Sequence, residues 1–110
     1  MTRTALQEEI DAIVQAIADT GFVTKIILFG SLARGEEASA GDIDLCALTT
    51  IKDRHPADIT IDLRMKVHDI QTFPLDLFTY NQDDFFYHAK RPTSFEHEIA
   101  EHGVVVYERR

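Results

Sequence analysis

Phe29-Gly30-Ser31-Leu32-Ala33-Arg34-Gly35, followed after a short acidic loop by Gly41-Asp42-Ile43-Asp44-Leu45, is the stretch that decides how this chain is read. Before it, Ile26, Ile27, Leu28 and Phe29 form a near-continuous apolar run, which suits a strand over residues 22–29 covered on both faces. Gly30 and Ser31 end that run abruptly and lead into a helix-sized turn. A buried strand that turns directly into a helix presents backbone N–H groups and a hydroxyl where the helix's partial positive charge favours a phosphate. Glycine suits the position because a Cβ would hold the phosphate away. Asp42 to Leu48 then alternates acid with Ile43 and Leu45 and reads as a second strand. On it Asp42 and Asp44 share one face, while Ile43 and Leu45 point into the core. Paired carboxylates on one face are hard oxygen ligands suited to Mg²⁺, which also bridges phosphate oxygens.

Working outward, Leu6, Ile10, Ile13 and Ile17 place one apolar stripe along an N-terminal helix, with Thr4 and Gln7 as its capping box and Gly21 as its stop. Pro56 suits the first turn of another helix, with Ile59, Leu63, Val67 and Ile70 on one face before Pro74 closes the segment. Leu75 to Tyr80 reads as a third strand, and Asn81 as the N-cap of a short helical turn through Tyr87. Pro92 or Thr93 begins a last helix running to His102, Gly103 ends it, and Val104 to Tyr107 is the final strand. Without repeats or linkers, residues 1–110 are expected to form one α/β domain with a mixed sheet of about four strands and flanking helices.

Composition narrows the class. The chain has 110 residues, 45% hydrophobic and 27% charged, which disfavours disorder, collagen and coiled coil. A formal charge of -8 repels a phosphate backbone, so a broad nucleic-acid-binding surface is not expected. Residues 1–35 carry four acids and three bases, so the acid excess lies almost wholly downstream. Cys46 stands alone in an apolar stretch and reads as a small core residue. No apolar run approaches the ~18 residues needed to span a bilayer, and Glu8, Glu9 and Asp11 interrupt any signal-peptide pattern, so a cytoplasmic, non-membrane protein is expected.

A third carboxylate completes the site on a neighbouring strand. Asp76, flanked by Leu75 and Leu77, faces out with Phe78, and its expected role is to bind metal and help deprotonate an acceptor hydroxyl. The whole arrangement suits Mg²⁺ and a nucleoside triphosphate, with two metals about 3.5–4 Å apart acting on an in-line displacement. Two decoys fail. Glu36 and Glu37 stand where a P-loop requires Lys and Ser or Thr. In His97-Glu98-Ile99-Ala100-Glu101-His102 the histidines are five apart, off a common helical face, so a zinc-protease helix does not fit. Phe85, Phe86 and Tyr87 read as core packing rather than a base-stacking platform, the alternative being an exposed aromatic cluster that docks a partner.

The two stretches quoted first resemble the signature of the DNA-polymerase-β-like nucleotidyltransferase superfamily, and in particular its minimal nucleotidyltransferase (MNT) group. Pro74-Leu75-Asp76-Leu77 resembles that family's third-carboxylate strand, and Ile99 through Tyr107 its closing helix and strand. The resemblance implies a palm-like α/β fold and Mg²⁺-dependent transfer of AMP from ATP. It also implies metal ligation by Asp42, Asp44 and Asp76, and a triphosphate held by Gly30 and Ser31. Arg34 matches the family's arginine, as a phosphate contact or as a residue that pins the loop by pairing with an acid. Gly41 departs from the Ser common before the first aspartate.

Members of the MNT group are often encoded beside a helical HEPN-domain ribonuclease, forming a toxin–antitoxin pair in which the antitoxin adds AMP to a tyrosine of the toxin. A short chain without an acceptor lobe points to the same arrangement, a hydroxyl presented by another chain. The alternatives are a non-catalytic antitoxin that masks the toxin by contact, and an aminoglycoside-type enzyme whose missing lobe comes from homodimerisation.

Overall fold

The computed structural model describes residues 4–35 and 42–109; Glu36, Glu37 and Gly41 lie outside them. The first helix, α1 (Ala5–Asp19), starts where the sequence places it: Thr4 Oγ1 accepts from the Gln7 N–H while the Gln7 side chain accepts from the Thr4 N–H. It stops at Thr20, and Gly21 reverses the chain with φ +76°. The following strand, β1 (Lys25–Phe29), is shorter than its apolar run suggests. Thr20 Oγ1 accepts from the Phe22 N–H and Thr49 Oγ1 donates to the Phe22 carbonyl, so side chains engage the backbone there instead of a ladder.

Next come α2 (Gly30–Ala33), β2 (Ile43–Thr49) and α3 (Pro56–Val67). Pro56 does open α3, with His55 Nδ1 accepting from the Ala57 N–H, but the helix ends at Val67 and Ile70 falls beyond it. Then β3 (Leu75–Asn81), α4 (Gln82–Ala89), α5 (Phe95–His102) and β4 (Val104–Glu108) complete the chain. Asn81 caps α4 through the Asp83 and Asp84 N–H groups. The last helix begins at Phe95 rather than Pro92, because Ser94 Oγ accepts from the His97 N–H and fixes the cap there.

The sheet order is β3-β2-β1-β4, with β1 antiparallel to both β2 and β4 and β2 parallel to β3. This is a single α+β domain of the kind expected, with a four-stranded mixed sheet. On the first face Ile13, Ile17, Ile26, Ile43, Leu45, Ile59 and Leu63 are fully buried under α1 and α3. On the second face Ile27, Phe29, Cys46 and Leu48 pack with Phe85 of α4 and Ile99 of α5. Among the described residues, no helix is long and apolar enough to cross a membrane.

One buried acid braces the first face. Glu9 of α1 accepts from the Thr72 hydroxyl and from the Thr72 and Phe73 N–H groups, the last two at 2.9 and 2.7 Å. Pro74 follows, its carbonyl accepting from the Ile43 N–H at 2.8 Å, so α1 anchors the entry to β3.

Candidate active site

Parallel pairing of β2 with β3 sets the site. Because Ile43 and Leu45 are drawn into the first-face core, Asp44 is turned to the second face, and the register puts it directly beside Asp76. Leu75 and Leu77 are buried and Asp76 is exposed between them, the alternation the sequence implies. On its other side Asp44 pairs with Phe29, the last residue of β1. Three adjacent strands thus carry Asp76, Asp44 and Phe29 in one row.

Immediately after Phe29, Gly30 takes φ +74° and turns the chain into α2. A Cβ at this position would overlap the Asp44 carboxylate, with its Cγ only 3.1 Å away. The glycine is therefore demanded twice, by its left-handed backbone and by the close approach of an acid. This adds to the phosphate argument a constraint that the sequence alone does not show. Ser31 follows as the second residue of α2, and Arg34 forms its C-cap, with its N–H donating to the Ser31 carbonyl at 3.1 Å.

The electrostatics are those of crowded acids. Burial first, then a hydrogen bond with Asp76 and the charges of Asp76 and Asp42, push the Asp44 pKa up from 3.8 to about 6. The Arg34 charge pulls the other way. Asp44 and Asp76 are brought together; Asp42, just ahead of β2 and exposed, acts on Asp44 through its charge. Among the described residues no three His, Cys, Asp or Glu side chains are already gathered as a ligand set. The donor chemistry nonetheless fits a divalent cation. Two carboxyls held together beside a backbone that tolerates no side chain are hard oxygen donors whose repulsion a cation relieves.

Beside this pair lies a feature that sequence reading missed. Phe29, Phe78 and Phe95 form a ring cluster with centroids 5.9, 5.6 and 5.7 Å apart. Phe78 follows Asp76 on the same face of β3, and that alternation is the one available signal; nothing local marks Phe95, which arrives from α5. Phe85 is fully buried as expected, whereas Phe86 and Tyr87 are exposed. Cys46 is buried, and burial followed by the Glu96 charge pushes its thiol up to about 12, so it behaves as a core residue. In the zinc-like segment His97 Nδ1 meets the Ala89 carbonyl at 2.9 Å and His102 Nε2 faces Glu98 at 3.9 Å.

The comparisons with known proteins bear on the family and the fold. The family model described as "Polymerase beta, Nucleotidyltransferase" matches residues 11–110. The chain belongs to this nucleotidyltransferase family. Among solved structures, a Sulfolobus solfataricus protein described as a "putative nucleotidyltransferase" is similar to it with a TM-score of 0.58. The match covers 99% of this chain and 91% of that one at 18% identity, a likeness of fold. None of the curated proteins compared with the chain matches it. Nucleotidyltransferases of this family generally act on nucleoside triphosphates with a divalent metal.

Proposed function

We propose that this nucleotidyltransferase is an antitoxin that transfers AMP from ATP to a hydroxyl, that of a tyrosine, on a partner HEPN ribonuclease toxin, with Mg²⁺ as cofactor. The observation that carries the reading is the side-by-side placement of Asp44 and Asp76 next to Gly30. Asp42, Asp44 and Asp76 would hold the metal, as two ions, and Gly30 and Ser31 the triphosphate. The chemistry a bound Mg²⁺ supplies is charge neutralisation and polarisation of phosphoryl oxygens.

The acceptor oxygen bonds to the α-phosphorus while the bond to the β-phosphate's bridging oxygen breaks, and pyrophosphate leaves with that electron pair. The acceptor proton passes to the Asp76 carboxylate and on to water. Arg34, whose charge already reaches Asp44, restrains the acidic cluster at the helix end. Phe78, 42% exposed and two residues from Asp76 on the same face, gives an aromatic acceptor side chain a surface beside the proton-accepting group. The charge of -8 suits a cationic, RNA-processing partner.

Incubation with Mg²⁺, ATP and the product of an adjacent HEPN gene, read by intact mass, tests the reading. An AMP-sized increment on the partner, lost with Asp42→Asn plus Asp44→Asn and on chelation, is the expected result. Neutralisation by the double variant, with no increment from wild type, would establish the masking antitoxin instead. Transfer to an aminoglycoside, with none to protein, would establish the small-molecule enzyme.

A further inference from the structure

Asp44 and Asp76 sit at one end of the β2–β3 ladder. The Ile43 N–H donates to the Pro74 carbonyl at 2.8 Å, and Asp44 lies one residue beyond Ile43, Asp76 two beyond Pro74. Like charges side by side on neighbouring strands push those strands apart, and here they do so where the ladder ends. Pro74 has no N–H with which to carry the ladder further back. The segment ahead of it, residues 71–74, belongs to no helix or strand, so whatever holds this segment sets where β3 begins.

Glu9 holds it. This side chain is buried on α1, against the first face of the sheet and away from the acid pair. Its Oε2 accepts from the N–H groups of both Thr72 and Phe73, and its Oε1 from the Thr72 hydroxyl. Three bonds to a carboxylate, from two consecutive residues, fix both the position and the direction of the segment. Glu9 thereby reaches the acids by two short routes. One runs along the chain from Phe73 through Pro74 to Asp76; the other crosses the ladder from the Pro74 carbonyl to Ile43 and Asp44. A shift of this segment slides one strand end against the other and changes the gap between the two carboxyls. Mg²⁺ reads that gap directly, because it demands oxygens at ~2.0–2.1 Å in near-octahedral directions.

We propose that Glu9 is a positioning residue for the metal site: from the opposite face of the sheet it fixes the spacing of the Asp44 and Asp76 carboxylates. The inference rests on the nucleotidyltransferase reading of that pair and adds to it a residue of α1 that touches neither metal nor substrate. Glu9→Gln separates position from charge, since the amide oxygen accepts from both N–H groups and the NH₂ donates to the Thr72 hydroxyl. Leu63→Ala controls for lost stability, because Leu63 is fully buried on the same face and makes none of the clamp's bonds.

Calorimetric titration with Mg²⁺, and amide hydrogen exchange of the metal-free protein, test the assignment under conditions where circular dichroism shows each variant folded. Glu9→Ala weakens Mg²⁺ binding about 10–100-fold. It also speeds exchange of the Ile43 N–H relative to that of Ala47, farther along the same ladder. Glu9→Gln and Leu63→Ala bind Mg²⁺ as wild type does. Thr72→Val deletes the hydroxyl bond alone and weakens Mg²⁺ binding by less in the same direction, which serves if Glu9→Ala does not fold. Wild-type affinity in both Glu9→Ala and Thr72→Val, the same loss in Leu63→Ala, or a loss in Glu9→Gln as large as in Glu9→Ala overturns the positioning role while the nucleotidyltransferase reading stands. Wild type that binds no Mg²⁺ overturns that reading and the positioning role with it.

Discussion

The two faces of the sheet are built on opposite terms. Under α1 and α3 the first face is closed by aliphatic side chains, and its one buried acid, Glu9, is matched by three donors. The second face is closed by Phe85 and Ile99, and at its edge Asp44 and Asp76 are crowded against each other, with Gly30 pressed against Asp44. Two acids therefore respond to folding in opposite senses. Burial raises the pKa of Glu9, but its hydrogen bonds more than offset that, so the carboxyl lies below its usual 4.5. Burial raises that of Asp44 as well, and there the neighbouring acids add to the effect. One face stores stability; the other spends it on crowded acids whose repulsion a cation can relieve.

The contrast breaks most severely at Gly30. Gly30→Ala puts a Cβ into the Asp44 carboxylate and a side chain at φ +74°, so AMP transfer falls by roughly 10²–10³-fold while the helices of the first face remain, as transfer assays and circular dichroism would record. On the first face, Leu63→Ala removes a fully buried side chain and lowers the unfolding free energy by about 2–5 kcal/mol in urea titrations; the per-molecule transfer rate of the folded protein stays the same. Glu9→Ala strands the Thr72 and Phe73 donors and costs about 2–4 kcal/mol.

The pH dependences sharpen the comparison further. Glu9 binds its proton less tightly in the folded state, so its contribution is present above 4.5 and lost as the pH falls through its lowered folded pKa. Asp44 binds its proton more tightly in the folded state. Its contribution is full below 3.8 and lost as the pH rises through about 6. Metal-free Asp44→Asn should therefore gain a few degrees in melting temperature above pH ~7, and match wild type more nearly below pH ~4. The apparent affinity for Mg²⁺ in wild type should weaken as the pH drops through about 6, because protons compete for the same oxygens. Thermal melts with and without Mg²⁺ across this range measure both.

What could be read from the sequence was whatever depends on local periodicity. The Thr4–Gln7 capping box, the buried alternation of Ile43 and Leu45, and Asp76 exposed between Leu75 and Leu77 are short-range patterns with one physical solution each. Strand ends and the last helix start were displaced because single side-chain bonds, from Thr49 to the Phe22 carbonyl and from the His97 N–H to Ser94, outweigh apolar runs and proline placement. The Glu9 clamp reaches across more than sixty residues, and the Phe29–Phe78–Phe95 cluster unites three elements. Neither has a local signature, since both exist only once the parallel β2–β3 pairing and the α5 crossing are made.

The measurement that bears most directly on the second face compares wild type with Asp44→Asn for transfer of AMP to the proposed HEPN partner, by intact mass at saturating Mg²⁺ and ATP. Wild type should add the AMP-sized mass and Asp44→Asn should do so roughly a thousandfold more slowly, with fold and partner binding retained. Transfer by Asp44→Asn at a rate within about tenfold of wild type would contradict the assignment of the Asp44–Asp76 pair as the centre of the chemistry.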